Sequence, residues 1–387
     1  MVSAVRRGES QRSVARRLGV GLRTVQYWVR RADGRRLDRV DFADRPRGPQ
    51  QPGNRTSPEM EDRVLEVRRD LKERSDLGEY GAEAVRRALA AEGLVPLPSV
   101  RTLGRIAQRR GALDGRRRVR RTAPPRGWYL PEVAQDREEL DSFDVVEALA
   151  IKGGEAFELF SGVSLHGGLP CAFIVAPSVT ARAVVPCLQA HWREVGLPGY
   201  AQFDNDTRFQ GPHGHPDVIS RTVRLCLSLG VTPVFVPPRE TGFQAQVENF
   251  NGLWQEKVWQ RFVFEDIPGL TAQSARYIHA KRARGAVRRD SAPARRPFPA
   301  DWHLDLQATP SGHVIFIRRT SDAGHVRLLE RTFLVDAHWP RRLVRCEVDL
   351  DDQRLRCYAL RRQAPADQPL LADIPYRLKK RRRPFHE

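Results

Sequence analysis

Residues 200–260 read YAQFDNDTRFQGPHGHPDVISRTVRLCLSLGVTPVFVPPRETGFQAQVENFNGLWQEKVWQ. Asp204 directly follows a short apolar run, residues 200–203, that predicts a strand. A second strand is predicted over residues 232–236, and Glu248 lies in the amphipathic helix predicted after it. Two carboxylates that come from separate elements, one strand end and one helix, indicate a metal site.

Upstream of this stretch, the apolar residues follow the period of strands. Three strands are predicted over residues 140–149, 156–163 and 171–176, and the turn-forming sequences KGGE and HGGLP between them favour an antiparallel meander. Helices are predicted over residues 178–195 and 217–229. The order of three strands, helix, strand, helix, strand and helix resembles the ribonuclease H-like fold, in which helices flank a mixed α/β sheet.

A third acid would complete the site, and Asp144 in the first predicted strand is our candidate. The alternative is Asp141, which lies three residues earlier and therefore on the opposite face of the strand. Clustered carboxylates raise one another's pKa unless cations neutralise them, so three converging acids indicate a divalent metal. Two such ions activate a water or a 3′-hydroxyl and stabilise the leaving oxygen during attack on phosphorus.

Residues 139–260 resemble the catalytic core of the DDE integrase and transposase superfamily, specifically bacterial insertion-sequence transposases with an integrase-type core. The motifs that carry the resemblance are ELDSFDVVEALAIKGG, QFDNDTRFQG and QVENFNGLW. The resemblance implies that Asp144, Asp204 and Glu248 are the catalytic, metal-binding residues, with Mg²⁺ or Mn²⁺ as cofactor and two ions per active site. It also implies a polynucleotidyl transferase that cleaves and joins DNA at transposon ends by transesterification with a 3′-hydroxyl.

The partners implied by the resemblance are double-stranded DNA, as transposon ends and target, and further copies of the chain. Coordinated joining of two ends requires at least a dimer on DNA. The resemblance leaves open whether an ATPase helper selects the target. Two rival functions also stay open, namely a non-enzymatic DNA-binding regulator derived from an inactive transposase and a nuclease of the same fold.

The chain departs from the family's pattern in the spacing of its last two acids. Between Asp204 and Glu248 lie 43 residues, more than is common in the family, and residues 211–218, GPHGHPDV, look like the added loop. His213 and His215 in this loop could reach a metal or a phosphate, although loop histidines usually do neither. The role of the loop stays open.

The composition of the chain points to nucleic acid as a partner. Its 387 residues predict two to four domains, and its formal charge is +19. Arginine dominates the basic residues, which favours bidentate contacts with phosphate. No apolar run approaches a spanning helix and no signal-peptide core is visible, so we expect a cytoplasmic, nucleoid-associated bacterial protein without a membrane partner. Five cysteines without a CxxC pair indicate neither a disulfide framework nor a zinc site.

The N-terminal residues 1–45 show a helix-turn-helix pattern, in which two apolar helix faces flank a glycine turn at residues 19–21. Side chains on the exposed side of the second helix are candidate DNA contacts. These are Arg23, Thr24, Gln26, Tyr27 and Arg30. The alternative is a structural hairpin of two solvated helices.

A second helical domain is predicted over residues 56–114, after a linker rich in Pro and Gly. Its three short helices resemble a winged or homeodomain-like DNA reader with Arg101 and Arg105 facing outward, although a purely structural bundle is the alternative. Residues 115–137 form a predicted basic linker, which either follows phosphates or is merely solvated. Beside the strand ends of the core, Arg208 and Arg239 are further candidate phosphate contacts.

The core is predicted over residues 138–290 and is followed by short alternating runs that predict a small β-barrel over residues 300–362. Residues 363–387 are predicted to be a basic tail that binds DNA or is disordered. The predicted fold class is therefore multidomain, with N-terminal all-α helix-turn-helix units, a central α/β ribonuclease H-like core and a C-terminal small β-barrel.

Overall fold

The structure is a computed structural model that describes residues 1–43, 56–113, 126–212, 216–240, 242–361 and 364–378. The chain divides into two units, Met1–Val64 and Leu65–Glu387. Several sequence predictions lie outside the described residues: the linker after residue 43, the arginine run at 115–125, the loop histidines His213 and His215, and the end of the predicted tail.

The first unit contains three short helices with a shared apolar core. They are α1 Val2–Arg6, α2 Gln11–Leu18 and α3 Leu22–Arg31. Helix α2 begins after Ser10, whose hydroxyl accepts a hydrogen bond from a backbone amide, and ends at Gly19 in the left-handed conformation. Val14 and Val25, one from each of the last two helices, are fully buried. Helices α2 and α3 therefore lie on either side of the predicted glycine turn, and α1 is an additional helix. A DNA-binding helix-turn-helix in this unit stays a prediction.

Three further helices precede the sheet. They are α4 Pro58–Arg74, α5 Ala82–Ala91 and α6 Val100–Arg109. Ser99 caps α6, because its hydroxyl accepts a hydrogen bond from the Thr102 amide. The end of α4 is held by Arg261, whose guanidinium donates to the carbonyl of Ser75 at 2.6 Å and to that of Lys72 at 3.0 Å. The end of α4 therefore packs against the segment that follows α11.

The strands and remaining helices follow in sequence order. The strands are β1 Leu140–Ala150, β2 Ala156–Ser164, β3 Pro170–Val175, β4 Tyr200–Phe203, β5 Thr232–Phe235, β6 His313–Arg319, β7 His325–Leu328, β8 Arg331–Leu334, β9 Leu343–Asp349, β10 Arg354–Ala359 and β11 Leu370–Pro375. The helices are α7 Pro131–Ala134, α8 Ala181–Val195, α9 Thr207–Gln210, α10 Arg221–Ser228, α11 Ala245–Trp254, α12 Ile267–Arg284 and α13 Ala286–Asp290. A π-helical turn, Gln255–Trp259, continues α11.

Strands β1 to β5 form the predicted core. β1, β2 and β3 pair as an antiparallel meander, and β4 and β5 pair parallel to β1 and to each other. Helices α8, α10 and α11 lie between or after these strands in the predicted order. A mixed α/β sheet with flanking helices fits the ribonuclease H-like core that the sequence predicts.

The prediction of a separate C-terminal β-barrel is wrong for the described residues. Strand β6 pairs parallel with β5, and β9, β10 and β11 continue the same sheet in antiparallel order. In the described chain the sheet order is β11-β10-β9-β6-β5-β4-β1-β2-β3, and β7 and β8 form a separate hairpin. The physical reason is the unbroken apolar run VIFI in β6, whose residues are buried on both faces as in a central strand. The stretch assigned to the tail also contains a strand, β11.

A row of phenylalanines crosses five neighbouring strands of this sheet. Adjacent ring centroids are 5.6, 5.5, 6.2 and 5.1 Å apart. The residues are Phe160, Phe143, Phe203, Phe235 and Phe316, and each is fully buried. Cross-strand aromatic pairs stabilise a particular register because a slip of one residue moves each ring to the other face. The row therefore fixes the residues that follow Phe143 and Phe203.

None of the helices in the described part of the chain combines the length and the apolar character needed to cross a membrane.

We expect Gly162→Ala to destabilise the protein. Gly162 lies opposite Phe143, and a Cβ at this position would lie 2.4 Å from a ring carbon of Phe143. Overpacking of this kind costs about 1–3 kcal/mol. Chemical denaturation should show a lower unfolding midpoint than in the wild type.

The matched control is Gly104→Ala in α6, where the added Cβ would meet nothing within 4 Å. It should raise the free energy of unfolding by roughly 0.5–1 kcal/mol, because alanine favours helix more than glycine. Equal changes in the free energy of unfolding for Gly162→Ala and Gly104→Ala would contradict the role assigned to the row of phenylalanines.

Candidate active site

The two aspartates lie side by side at the ends of neighbouring parallel strands. Ser142 in β1 is the register partner of Gln202 in β4, and Asp144 and Asp204 each come two residues later. Gln202 also donates a hydrogen bond to the Ser142 hydroxyl at 3.0 Å, so these side chains share one face of the sheet. Asp144 and Asp204 therefore lie beyond a hydrogen-bonded pair of side chains that fixes their alignment.

Helix α11 brings Glu248 to the same face through Asn251. The Asn251 side chain donates to Asp144 Oδ2 at 2.8 Å and accepts from the Ser161 hydroxyl at 2.5 Å. Ser161 is the register partner of Asp144 on β2. Glu248 precedes Asn251 by three residues, which places both on one side of the helix. The Asn251 amide therefore ties α11, which carries Glu248, to β1, which carries Asp144, and to β2.

The environment of the two aspartates raises the pKa of both carboxyl groups. Burial, together with the carboxylates of Asp204 and Glu248, raises the pKa of Asp144 to about 6, while hydrogen bonds from the Val145 amide and from Asn251 oppose this change. Burial also raises the pKa of Asp204, while the amide of Asp206 opposes this change. Carboxylates held close together in this way favour a bound cation.

The described residues do not contain a ready-made metal site. No three acidic, histidine or cysteine side chains in this part of the chain come together in an arrangement that could hold an ion. Glu248 is exposed, whereas Asp144 and Asp204 are half-buried. The donor chemistry nevertheless fits a hard divalent cation, because all three side chains offer carboxylate oxygens.

Asp141, the alternative first acid, has a different environment. It is fully buried, and its carboxylate accepts hydrogen bonds from Arg295 at 2.6 and 2.9 Å and from the Trp192 indole at 3.0 Å. Although burial opposes ionisation, Arg295 and His191 hold the pKa of Asp141 well below its usual range. Its partners lie on the opposite face of β1 from Asn251, as strand alternation predicts. Asp141 is therefore a structural ion-pair partner.

The structure gives Arg208 protein partners. Its guanidinium forms salt bridges with Glu147, with Glu158 at 3.2 Å and with Asp206 at 2.8 Å. These carboxylates neutralise the charge that we predict to contact DNA. Arg239 is exposed and has a left-handed backbone with φ 61°. Phosphate contacts by Arg208 and Arg239 stay predictions.

The other candidate DNA contacts are on helix surfaces, as the sequence predicts. All seven side chains are exposed: Arg23, Thr24, Gln26, Tyr27 and Arg30 on α3, and Arg101 and Arg105 on α6. Buried partners on the opposite helix faces, such as Val25 and Ile106, fix this orientation. Exposure is consistent with DNA binding and with a solvated helix face, so their role also stays a prediction.

Sequence reasoning missed several residues that shape the site. Asn251 belongs to a quoted motif, but nothing in the sequence shows that its amide reaches Asp144. Arg318 is buried, and its guanidinium donates to Asn205 Oδ1 at 2.7 Å and to the Val236 carbonyl at 3.2 Å. Burial lowers the pKa of Arg318 to about 10. Arg318 therefore ties together the loops that follow β4 and β5, beside Asp204.

Comparisons with known proteins give distant similarity to viral integrases. No protein-family model matches the chain, and no curated protein matches it. The HTLV-2 integrase catalytic core domain in complex with magnesium, in its dimeric form, is 15% identical with a TM-score of 0.28, over 36% of this chain and 82% of that one. The simian T-cell lymphotropic virus intasome in complex with PP2A regulatory subunit B56 gamma is 13% identical with a TM-score of 0.33, over 70% and 87%.

The BIV integrase catalytic core domain is 21% identical with a TM-score of 0.26, over 36% of this chain and 81% of that one. At these identities and TM-scores, the likeness does not assign a function to the chain.

We expect Asp141→Asn and Asp144→Asn to change stability in opposite directions. Loss of the Asp141 charge leaves Arg295 buried without its counter-charge, which should lower the free energy of unfolding by about 3–5 kcal/mol. Because the pKa of Asp144 is raised, its ionised form destabilises the folded protein at neutral pH. Asp144→Asn should therefore raise the free energy of unfolding by about 1–3 kcal/mol.

Chemical denaturation of both variants at pH 7 and low metal concentration tests this pair. Destabilisation by Asp144→Asn comparable to that by Asp141→Asn would contradict the division of roles between the two acids.

Proposed function

We propose that the chain is a DNA transposase of the integrase type, which cleaves DNA at transposon ends and joins it to a target by transesterification. The observation that carries the proposal is the side-by-side placement of Asp144 and Asp204 at the ends of neighbouring parallel strands, next to the helix that carries Glu248. Asn251 links this helix to Asp144. The effect of the Asp204 and Glu248 carboxylates on the pKa of Asp144 supports a shared cation.

In this proposal Asp144, Asp204 and Glu248 hold Mg²⁺ or Mn²⁺. When bound, divalent ions supply activation of a water or 3′-hydroxyl and charge stabilisation of the leaving oxygen. The chain's own residues position the ligands: Asn251 orients Asp144, and the Asp206 amide donates to Asp204 at 3.0 Å. Fixed orientation of ligands by neighbouring groups is a general feature of metal sites.

The basic character of the chain supplies the affinity for DNA in this proposal. A net charge of +19 favours phosphate binding that weakens steeply as salt increases. The exposed residues of α3 would read transposon ends, and Arg101 and Arg105 on α6 would contact the same DNA. Joining two ends requires at least two copies of the chain.

A second candidate function is a DNA-binding regulator without turnover. The specific observation in its favour is the absence, among the described residues, of three side chains arranged to hold a metal ion. A regulator would retain salt-sensitive DNA binding and lack strand transfer.

A strand-transfer assay on end-containing DNA with Mg²⁺ or Mn²⁺ tests the proposal. Asp204→Asn and Glu248→Gln should each abolish joining while leaving DNA binding intact, since both residues act as ligands. The matched control is Glu256→Gln, an exposed acid that pairs with its neighbour Lys257. Full joining activity of Asp204→Asn or of Glu248→Gln would contradict the catalytic assignment. DNA binding by the wild type without any joining would favour the regulator.

Metal binding can be measured separately from activity. Addition of Mn²⁺ without DNA should raise the thermal midpoint of the wild type, because a ligand that binds only the folded state stabilises it. The increase should be lost in Asp144→Asn and kept in Glu256→Gln. An equal increase in all three proteins would show that the ion binds elsewhere.

A further inference from the structure

We infer that a cleft beside the candidate active site binds unpaired nucleotides of a DNA strand. The cleft has a volume of about 1130 Å³ and is lined by Trp128, Phe243, Trp339, Arg126, Arg342 and Asn249, among others. It is large enough for more than one nucleotide, since pockets of roughly 300–1,000 Å³ hold drug-sized ligands. The inference rests on the proposed function for its choice of DNA as the ligand.

Aromatic rings line the cleft from three separate parts of the chain. Trp128 and Phe243 pack with ring centroids 6.0 Å apart, and Phe243 and Trp339 are only half-buried. Nucleobases stack on aromatic side chains whatever their sequence, which is how many proteins hold single-stranded DNA. A duplex, whose bases are already stacked, cannot use such rings. The lining therefore favours unpaired bases.

The charge of the cleft favours the strand's phosphates. Five arginines line it against a single acid, Glu240. Three of the arginines are paired: Arg319 with Glu240, Arg341 with Asp322 and Arg361 with Asp367. The remaining two, Arg126 and Arg342, are exposed and have no carboxylate partner among the described residues. These two guanidinium groups are available to bind phosphate.

The Arg342 guanidinium lies 4.6 Å from the centre of the Trp339 ring. It therefore covers the ring face that a base would use. A nucleotide could take its place, with its base on Trp339 and its phosphate beside the displaced guanidinium. Trp339 would then bind the base and Arg342 the phosphate of one nucleotide.

The cleft is joined to the candidate active site by hydrogen bonds. Asn249, which lines it, is the residue after Glu248. Gln202, two residues before Asp204, donates to the Phe243 carbonyl at 3.0 Å and accepts from the Tyr129 hydroxyl. A strand bound in the cleft would therefore lie next to the acids.

Local backbone geometry maintains the wall of the cleft at Gly127. This residue has φ 54°, and a Cβ would lie 2.4 Å from Cγ1 of Val133. Glycine therefore lets the chain turn tightly before Trp128 and Tyr129 enter the core.

The test uses the full chain in EDTA, so that no strand chemistry occurs. Two DNA duplexes of identical sequence are compared, one blunt and one with a three-nucleotide single-stranded extension that carries 2-aminopurine. The wild type should bind the extended duplex more tightly and quench the 2-aminopurine fluorescence by stacking. Trp339→Ala should reduce the preference for the extension about tenfold, in line with measured stacking losses, and Arg342→Gln should also weaken it.

Controls separate stacking from folding and from general charge. Trp339→Phe keeps an aromatic face and should retain the quenching even if Trp339→Ala unfolds. Trp302→Ala and Arg327→Gln alter a half-buried tryptophan and an exposed arginine outside the cleft and should leave the preference unchanged. Binding of the blunt duplex should be the same in all variants that fold.

Equal affinity of the wild type for both duplexes, or an undiminished preference in folded Trp339→Ala, would overturn the inference. If an oligoglutamate peptide competed as strongly as the single-stranded extension, the cleft would bind negative charge without regard to bases. That result would also overturn the inference. Strand transfer without extension binding would reject the cleft but keep the proposed function. Extension binding without strand transfer would reject the proposed function but keep the inference about the cleft.

Discussion

The sheet depends on a row of stacked phenylalanines that crosses five strands. Because side chains alternate along a strand, rings fixed on one face also fix the residues next to them on the other. Asp144 follows Phe143 and Asp204 follows Phe203, so the packing that stabilises the hydrophobic core also aligns the two carboxylates. Stability and the geometry of the site are therefore two results of the same contacts.

The alternation also divides the charged residues of β1 between two tasks. Asp141 faces the core, where its ion pair with Arg295 compensates the cost of burying both charges. Asp144 faces α11, where burial and the neighbouring acids raise the pKa of its carboxyl group. The two acids are chemically identical and three residues apart. Only their partners make one a structural residue and the other a candidate ligand.

Local patterns in the sequence predict most elements of the structure, but they do not predict which sheet a strand joins. The sequence predicts short alternating strands within residues 300–362, yet turn spacing alone does not show that β6 pairs with β5. The preference for Asp144 over Asp141 rests on the family motif and on the position of Asp141 near the start of the strand, whereas alternation places them only on opposite faces. The Asp141–Arg295 pair joins residues 154 positions apart. Such pairs, like the cleft formed around Trp128, Phe243 and Trp339, leave no periodic signal in the sequence.

The pairing of β6 with β5 bears on the modularity of the protein. Phe235 contacts Phe316 across this pair, with ring centroids 5.1 Å apart. A chain ending before residue 300 would leave β5 as an unpaired parallel edge with exposed apolar side chains, which is a template for aggregation. Strands β6, β9, β10 and β11 therefore belong to the same structural unit as the strands that carry the acids, and the unit does not end with the motif around Glu248.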